Sequence, residues 1–540
     1  MGNNLIRSGA VSLIEVILLH RFDYLASTQL LQKCIALAGI HYLAIQIFYI
    51  FIWPFYFSPL RNLPGPKSRF PFGEILNQAN ALPSELETRW MKEYPDAPFI
   101  RYMSLLNREM LMVNNARAQK EVLQIKCYSF IKPPYWKRVV GEIAGHGILF
   151  TEGEEHKKQR KLLVAPFSFG NIRRMHSIFQ QKAEETSSII LTLVKEGTNI
   201  IDVSSLLSHT TLDIVGLAAL GYELNSLSTS SSLATNYEKI FEFATPLQLL
   251  ISFIHQFIPI RPLLPFKANK SYVEANAEVR KILRQHIRRR KLEFREGTST
   301  GEDSGRDLLT LMIKESNDKW SEEDMLGYVR KHDITPRPQL NLIAPNFPRQ
   351  AIEDLEIEGV NIPKGTMVMI APAAPQFNPE VWGPTADQFD PDRWDNLPEP
   401  ARDPYASLAF SNGPRICIGK QFALHEMKAI LVELIRKFEF ANTGPVEPQK
   451  SGPSLRPLNG MRLDVSLVDP NTTVTETFSG QIYDWNRMTR LDCRPETSRF
   501  GPRRPQPLEE IIICRVALIT GAGSGRKFST TGDLSLTASP

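Results

Sequence analysis

The chain has 540 residues, 42% of them apolar and 22% charged, with 63 Lys and Arg against 58 Asp and Glu for a net charge of +5. That balance excludes a disordered, collagenous or coiled-coil chain, leaves room for several domains and a large core, and gives no reason to expect a nucleic-acid partner. The five cysteines, Cys34, Cys127, Cys417, Cys493 and Cys514, are too few and too scattered for a disulfide framework, and they suit a reducing compartment.

Residues 34–57 read CIALAGIHYLAIQIFYIFIWPFYF, carry no formal charge and are bracketed by Lys33 and Arg61. The run is long enough to cross a bilayer as a helix, and its aromatics gather at the far end, where an interfacial belt would lie. A buried core helix is the plainer alternative. A cleaved signal peptide is disfavoured, because the run starts late and has no small-residue cleavage site. Arg7, Arg21 and Lys33 precede the run and Arg61, Lys67 and Arg69 follow it, so flanking charge does not set its orientation. Leu63-Pro64-Gly65-Pro66 then reads as a stiff, non-helical hinge. The expectation is an N-terminal region, 1–60, holding one membrane anchor.

Residues 80–330 read mainly as helices. Within 278–295, Val279, Ile282, Leu283 and Ile287 recur at helical spacing, and the interleaved Arg280, Arg284, Arg288, Arg289, Arg290 and Lys291 read as a solvated basic face. Thr298–Arg306 is a polar loop. Within Ile352–Met369, Leu355, Ile357 and Val360 alternate with acidic residues, Pro363-Lys364-Gly365 punctuates and an apolar run resumes, which predicts a short hairpin. Ala371–Pro404 is Pro-rich and irregular. An amphipathic helix is predicted after Gly419, with Phe422, Met427, Ile430, Leu431, Leu434, Ile435 and Phe438 on one face.

The segment before that helix carries the chemistry. Cys417 lies in a glycine-punctuated loop, with Arg415 two residues ahead and a helix N-terminus just behind. Such glycines allow a tight turn beneath a flat cofactor, the Arg suits an anion, and the helix start favours a thiolate. A lone Cys is more often a small buried hydrophobe.

The spacing Phe410-x-x-Gly413-x-Arg415-x-Cys417-x-Gly419 resembles the haem-binding loop of the cytochrome P450 family, with all five defining positions present. The resemblance implies a mainly α fold with small β-sheets, here incomplete, in a haem domain over 61–470, with Cys417 as the axial thiolate ligand of the haem iron. Phe389–Trp394 is similar to the segment before that loop, whose Arg (here Arg393) joins a Glu–Arg charge network. Phe347-Pro348-Arg349 is similar to the first sheet, where Arg349 would bind a haem propionate. Glu154–Lys161 is similar to a helix that usually carries Trp-x-x-x-Arg. His156 stands in place of the Trp, and Arg160 lies one turn on, so both face the same side.

The family likeness further implies a monooxygenase of the eukaryotic microsomal, fungal-like type. It would sit in the endoplasmic reticulum membrane with the haem domain in the cytosol. It would take electrons from NADPH-cytochrome P450 reductase and oxidise a lipophilic small molecule of secondary metabolism.

Two parts of the family pattern are missing. No Ala/Gly-Gly-x-Asp/Glu-Thr stretch of the central helix occurs, and Glu315, Glu322 and Glu323 are followed three residues later by Asp318, Met325 and Leu326, so no Glu-x-x-Arg lies between Asp307 and Arg349. The sequence between Tyr328 and Ala344 is too short for the helices that should lie there. It therefore looks like a member with an internal deletion, and a catalytically inactive remnant is the alternative to a working enzyme. Loss of the Glu–Arg pair is also expected to orphan Arg393 if it is buried.

The family-like region ends near Pro470. Residues 471–510 are polar and expected to be disordered. Ile511–Gly525, IIICRVALITGAGSG, resembles the first strand and glycine loop of a short-chain dehydrogenase, but Lys527 stands at the next expected Gly. A lone strand and loop cannot make a nucleotide site, so a stray fragment is expected rather than a second cofactor domain.

Overall fold

The computed structural model describes residues 30–468, apart from 83, 145–146, 230–231, 241–262, 297–306, 317–324, 326–345, 387, 389–390 and 452–453. The polar loop at 298–306, the expected break at 328–344 and the tail with its dehydrogenase-like stretch lie outside the described residues.

Seven helices frame the part that matters for function. They are α1 (Leu30–Ile47), α2 (Gly153–Val164), α3 (His176–Lys195), α4 (Val203–Leu220), α5 (Lys267–Arg295), α6 (Leu308–Glu315) and α7 (Lys420–Lys437). The strands are β1 (Phe99–Met103), β2 (Glu109–Val113), β3 (Phe130–Ile131), β4 (Ile200–Asp202), β5 (Phe347–Ala351), β6 (Leu355–Ile357), β7 (Val360–Ile362), β8 (Met367–Ile370), β9 (Phe438–Asn442), β10 (Pro448–Ser451), β11 (Ser454–Pro457) and β12 (Arg462–Leu467). The fold is predominantly helical with small sheets.

The largest sheet has the order β1-β2-β8-β5-β3. Its β2 is an apolar run, Met110 to Val113, buried on both faces, as a strand between two neighbours requires. β2 runs parallel to β8, and β5 returns antiparallel with Arg349 opposite Val368. Four strands therefore interrupt the stretch 80–330 that reads as helical. Strands of two to five residues are too short for their alternation to stand out against flanking helices. The predicted hairpin is β6–β7, with Glu358 and Gly359 at positive φ in its turn, whereas Met367–Ile370 leaves it to join the large sheet.

In the helical core α3 packs against both α7 and α4. Phe179 meets Phe422 edge to face at 5.0 Å, and Thr186 and Thr210 share a hydrogen bond of 2.7 Å between α3 and α4. Asp202 caps α4 by accepting from Ser204 N at 3.1 Å, and the same oxygen takes Met461 N at 2.9 Å, tying the helix start to the C-terminal sheet. On α7, Phe422, Leu424, Ile430, Leu431 and Leu434 are buried. Ile435 is 48% exposed, whereas Phe438 is buried in the same core but opens β9 instead of lying on the helix.

On α5, Val279, Leu283 and Ile287 are buried as the period predicts. Arg289 is solvated and paired with Glu293, but Arg290 is not merely a surface cation. Its Nη2 donates to Gly221 O at 3.2 Å and to Asp307 at 3.4 Å, which joins α5 to α4 and α6.

The helical run Ile35–Phe57 is long and apolar enough to cross a membrane, and none of its most apolar window is buried. The same test is passed by α4, which is largely buried, so length and apolarity alone do not identify a span. The far end, a π-helical turn over Phe48–Phe57, is fastened to the β1–β2 hairpin. Asn107 Nδ2 donates to Ile50 O at 3.0 Å and Arg101 Nη2 to Pro54 O at 2.6 Å, while Arg101 also pairs with Glu109. The hinge packs on the same strand. Arg101 N donates to Pro64 O, and a Cβ on Gly65 would come within 1.7 Å of Arg101 O.

Candidate functional site

The Cys417 loop is closed by its own backbone. Cys417 N–H donates to Phe410 O at 2.9 Å, Ile416 N–H to Gly413 O at 3.0 Å, and Gly413–Arg415 forms one 3₁₀ turn. Gly413 has φ +72°, and a Cβ there would lie 2.2 Å from Leu123 O, so this position admits glycine alone. Gly419 is different. It caps α7 with φ −83°, a value open to any residue, so the tight-turn role predicted for it falls on Gly413. Cys417 is a half-buried free thiol whose carbonyl accepts from Lys420 N–H at the start of α7. Phe410, the outermost of the five loop positions, is half-buried.

Around this loop the predicted cations converge. Arg415 donates from Nη1 to Thr151 O at 3.0 Å and from Nη2 to Glu152, and its guanidinium lies 5.5 Å from the Tyr128 ring centroid. Arg349, on β5, is buried with Nη1 on Pro348 O at 3.0 Å, and burial together with the neighbouring Arg415 lowers its pKa to about 10. His156 and Arg160 lie one turn apart on α2 as expected. His156 is buried and its Nδ1 meets Tyr128 Oη at 3.1 Å. Arg160 is lowered by burial, with Arg415 adding to the effect and Cys417 and Tyr128 opposing it.

Three residues of this cluster escape sequence reasoning. Lys132, just after β3, is buried and sits beside Glu152, which accepts from its backbone N at 2.9 Å and its Nζ at 3.4 Å. Burial, then Arg349 and Arg415, push the Lys132 ammonium down to about 7, against the pull of Glu152. Tyr128 is raised chiefly by burial. No local pattern marks Lys132, Tyr128 or Glu152, because their partners lie far off in sequence.

Four cations, Lys132, Arg160, Arg349 and Arg415, thus gather with the single carboxylate of Glu152 among the described residues that perturb them. Arg415 Nε is buried with no hydrogen-bond partner. An excess of positive charge and an unused buried donor are what a dianionic group would complete, since unpaired buried donors and charges are costly. Haem brings two propionates and needs one thiolate, so the residues present fit it.

The condition under which Arg393 would be orphaned, burial, is not met. Arg393 is half-exposed, and its Nη2 donates to Thr385 O at 2.6 Å and Gln388 O at 3.1 Å. Backbone carbonyls of the Pro-rich stretch thus hold the guanidinium.

Comparison with known proteins finds the family that the Cys417 loop resembles. The cytochrome P450 family model matches residues 63–331 and 340–461. The chain is 26% identical over 494 positions to cytochrome P450 monooxygenase sphH of Aspergillus fumigatus, covering 77% of this chain and 90% of the relative. It is 26% identical over 504 positions to cytochrome P450 monooxygenase FUM15 of Gibberella moniliformis, covering 72% and 84%. It is also 26% identical over 493 positions to cytochrome P450 monooxygenase FSL4 of Gibberella zeae, covering 75% and 86%. In the first alignment, 77% of 540 residues is about 416, so about 78 of the 494 positions have no residue in this chain.

Proposed function

The chain belongs to the cytochrome P450 family, a family of haem-thiolate monooxygenases, and from that premise we propose that residues 61–470 form its haem domain, anchored by a helix within 1–60 and followed by a separate tail over 471–540. The membrane is the endoplasmic reticulum, with the domain on the cytosolic side, the electron donor is NADPH-cytochrome P450 reductase, and the substrate is a lipophilic small molecule of secondary metabolism. The observation that carries the site assignment is the cage of buried cations around the closed Cys417 loop.

In this reading Cys417 Sγ ligates the iron and Arg415, Arg349, Arg160, His156 and Lys132 hold the propionates. When bound, the haem supplies the redox chemistry that inserts one oxygen atom into substrate. The protein's own part is to orient it. Gly413 lets the loop press on Leu123, the Cys417–Phe410 hydrogen bond fixes where Sγ stands, and α7 is braced behind the loop by Phe422 against Phe179.

A second reading, a weakly active or inactive remnant, is favoured by two observations. About 78 aligned positions of the first relative are missing, and the family match is interrupted between 331 and 340, where the central-helix and Glu-x-x-Arg motifs are absent. The acid and alcohol of the first motif deliver protons in the family, so their loss is expected to divert electrons into peroxide. The test compares NADPH consumed with peroxide and product formed, with reductase supplied, for this chain and for one with the missing segment restored. Well-coupled product formation by the chain as it stands would eliminate the remnant reading.

A further inference from the structure

The cage holds Arg415, and the side chain that aims it is outside the family's loop pattern. We propose that Glu152 is the positioning residue for Arg415 and, through it, for the loop ending in Cys417; this rests on the haem site proposed above. Glu152 stands at the N-cap of α2, where a side-chain oxygen ordinarily accepts from the first turn of its own helix. It makes no such bond. Both oxygens are committed elsewhere, Oε2 to Arg415 Nη2 and Oε1 to Lys132 N and Nζ.

The neighbouring Thr151 carbonyl takes Arg415 Nη1. Residues 151 and 152 therefore grip two of the three guanidinium nitrogens and fix the plane of the group, which leaves the buried Nε as the free donor. A guanidinium held at both Nη atoms cannot turn without breaking a charge-assisted bond. The effect reaches Cys417 because Arg415 closes the 3₁₀ turn whose other end, Gly413, is wedged against Leu123. With both ends of the turn pinned, the backbone two residues on is placed by packing rather than by the haem. Glu152 also supplies the nearby negative charge that lets Lys132 remain beside Arg349 and Arg415.

The experiment titrates haem into the full-length chain in detergent, for wild type, Glu152→Gln and Glu152→Asp. It records the dissociation constant, and at saturation the fraction of reduced, carbon-monoxide-bound protein with the thiolate-type spectrum. Glu152→Gln keeps the shape but loses the charge, and is expected to weaken haem binding about 10- to 100-fold and to lower the thiolate fraction. Glu152→Asp, which keeps the charge, is expected to recover part of both. A general loss of stability would not lower the thiolate fraction of saturated, folded protein or be relieved by Asp. Haem binding within twofold of wild type and a full thiolate fraction in Glu152→Gln would overturn the assignment. Should Glu152→Gln not fold, Glu152→Asp decides instead, because it keeps the charge and leaves Arg415 in place but draws the carboxylate one methylene back from Nη2, so that the loss is expected in part. That partial loss supports the role and wild-type behaviour defeats it. A wild-type chain that takes up no haem would overturn the site itself rather than the role of Glu152.

Discussion

The Glu152 carboxylate accepts a hydrogen bond from Nη2 of Arg415, joining the start of one helix to the turn that precedes Cys417 across 263 residues of sequence. Both side chains are mostly buried, at 26% and 6% exposed, so the pair is screened less than a surface ion pair. Its energetics are therefore expected to be coupled. Arg415→Ala and Glu152→Ala, alone and together, should be non-additive in thermal or urea melts, with an interaction energy of about 1–3 kcal/mol. Additive effects would show that the two side chains act separately.

Gly413 is the glycine on which the loop depends. Gly413→Ala places a side chain at φ +72° and within 2.2 Å of a backbone oxygen, so a cost of at least about 1–3 kcal/mol is expected, along with poor haem uptake. Gly419→Ala lacks the conformational part of that penalty, because φ there is −83°. A side-by-side melt of the two variants checks this, and equal stability of Gly413→Ala and wild type would contradict the geometry.

Lys132 gives the site a pH dependence with a definite sign. Its folded-state pKa, about 7, lies below the ordinary 10.5, so between those values the unfolded chain binds the extra proton. Stability from this group consequently rises with pH across that window in the haem-free chain. A dianionic ligand favours the charged ammonium, so haem binding should take up a proton, and affinity should fall as pH rises above about 7. Haem titrations at several pH values, compared with Lys132→Met, test it. An identical pH slope in the variant would assign the effect to another group.

The topology proposal needs a glycosylation site other than Asn269. That residue opens a sequon but is buried at the start of α5, with Nδ2 on Leu264 O at 3.1 Å, so it should remain unmodified on either side of a membrane. Asn471 is the informative sequon. Microsomal expression is expected to leave Asn471 unglycosylated and the chain resistant to alkaline extraction. Modification of Asn471 would put the domain in the lumen.

The chemistry was legible where it is local. The Phe410–Gly419 spacing identifies the thiolate loop because its residues act on one another within ten positions, and the α2 face shows His156 and Arg160 together because a helix repeats every 3.6 residues. Lys132, Tyr128 and Glu152 were not legible, because nothing in a single sequence pairs residue 152 with residue 415. The strands β1 and β2 were missed for a related reason. A five-residue strand takes its identity from its partners, and β1 leans on β2, whose own second partner, β8, lies more than 250 residues on. Arg393 shows the converse, since the missing motif predicts an orphaned charge only for a buried side chain, and this one is half-exposed with its Nη2 on backbone carbonyls.

The central claim is that Cys417 ligates haem, and one spectrum tests it most directly. The full-length chain in detergent, loaded with haem, reduced and exposed to carbon monoxide, is expected to give the thiolate-type absorption, and Cys417→Ala is expected to abolish it. A Cys417→Ala protein that kept that absorption would contradict the account.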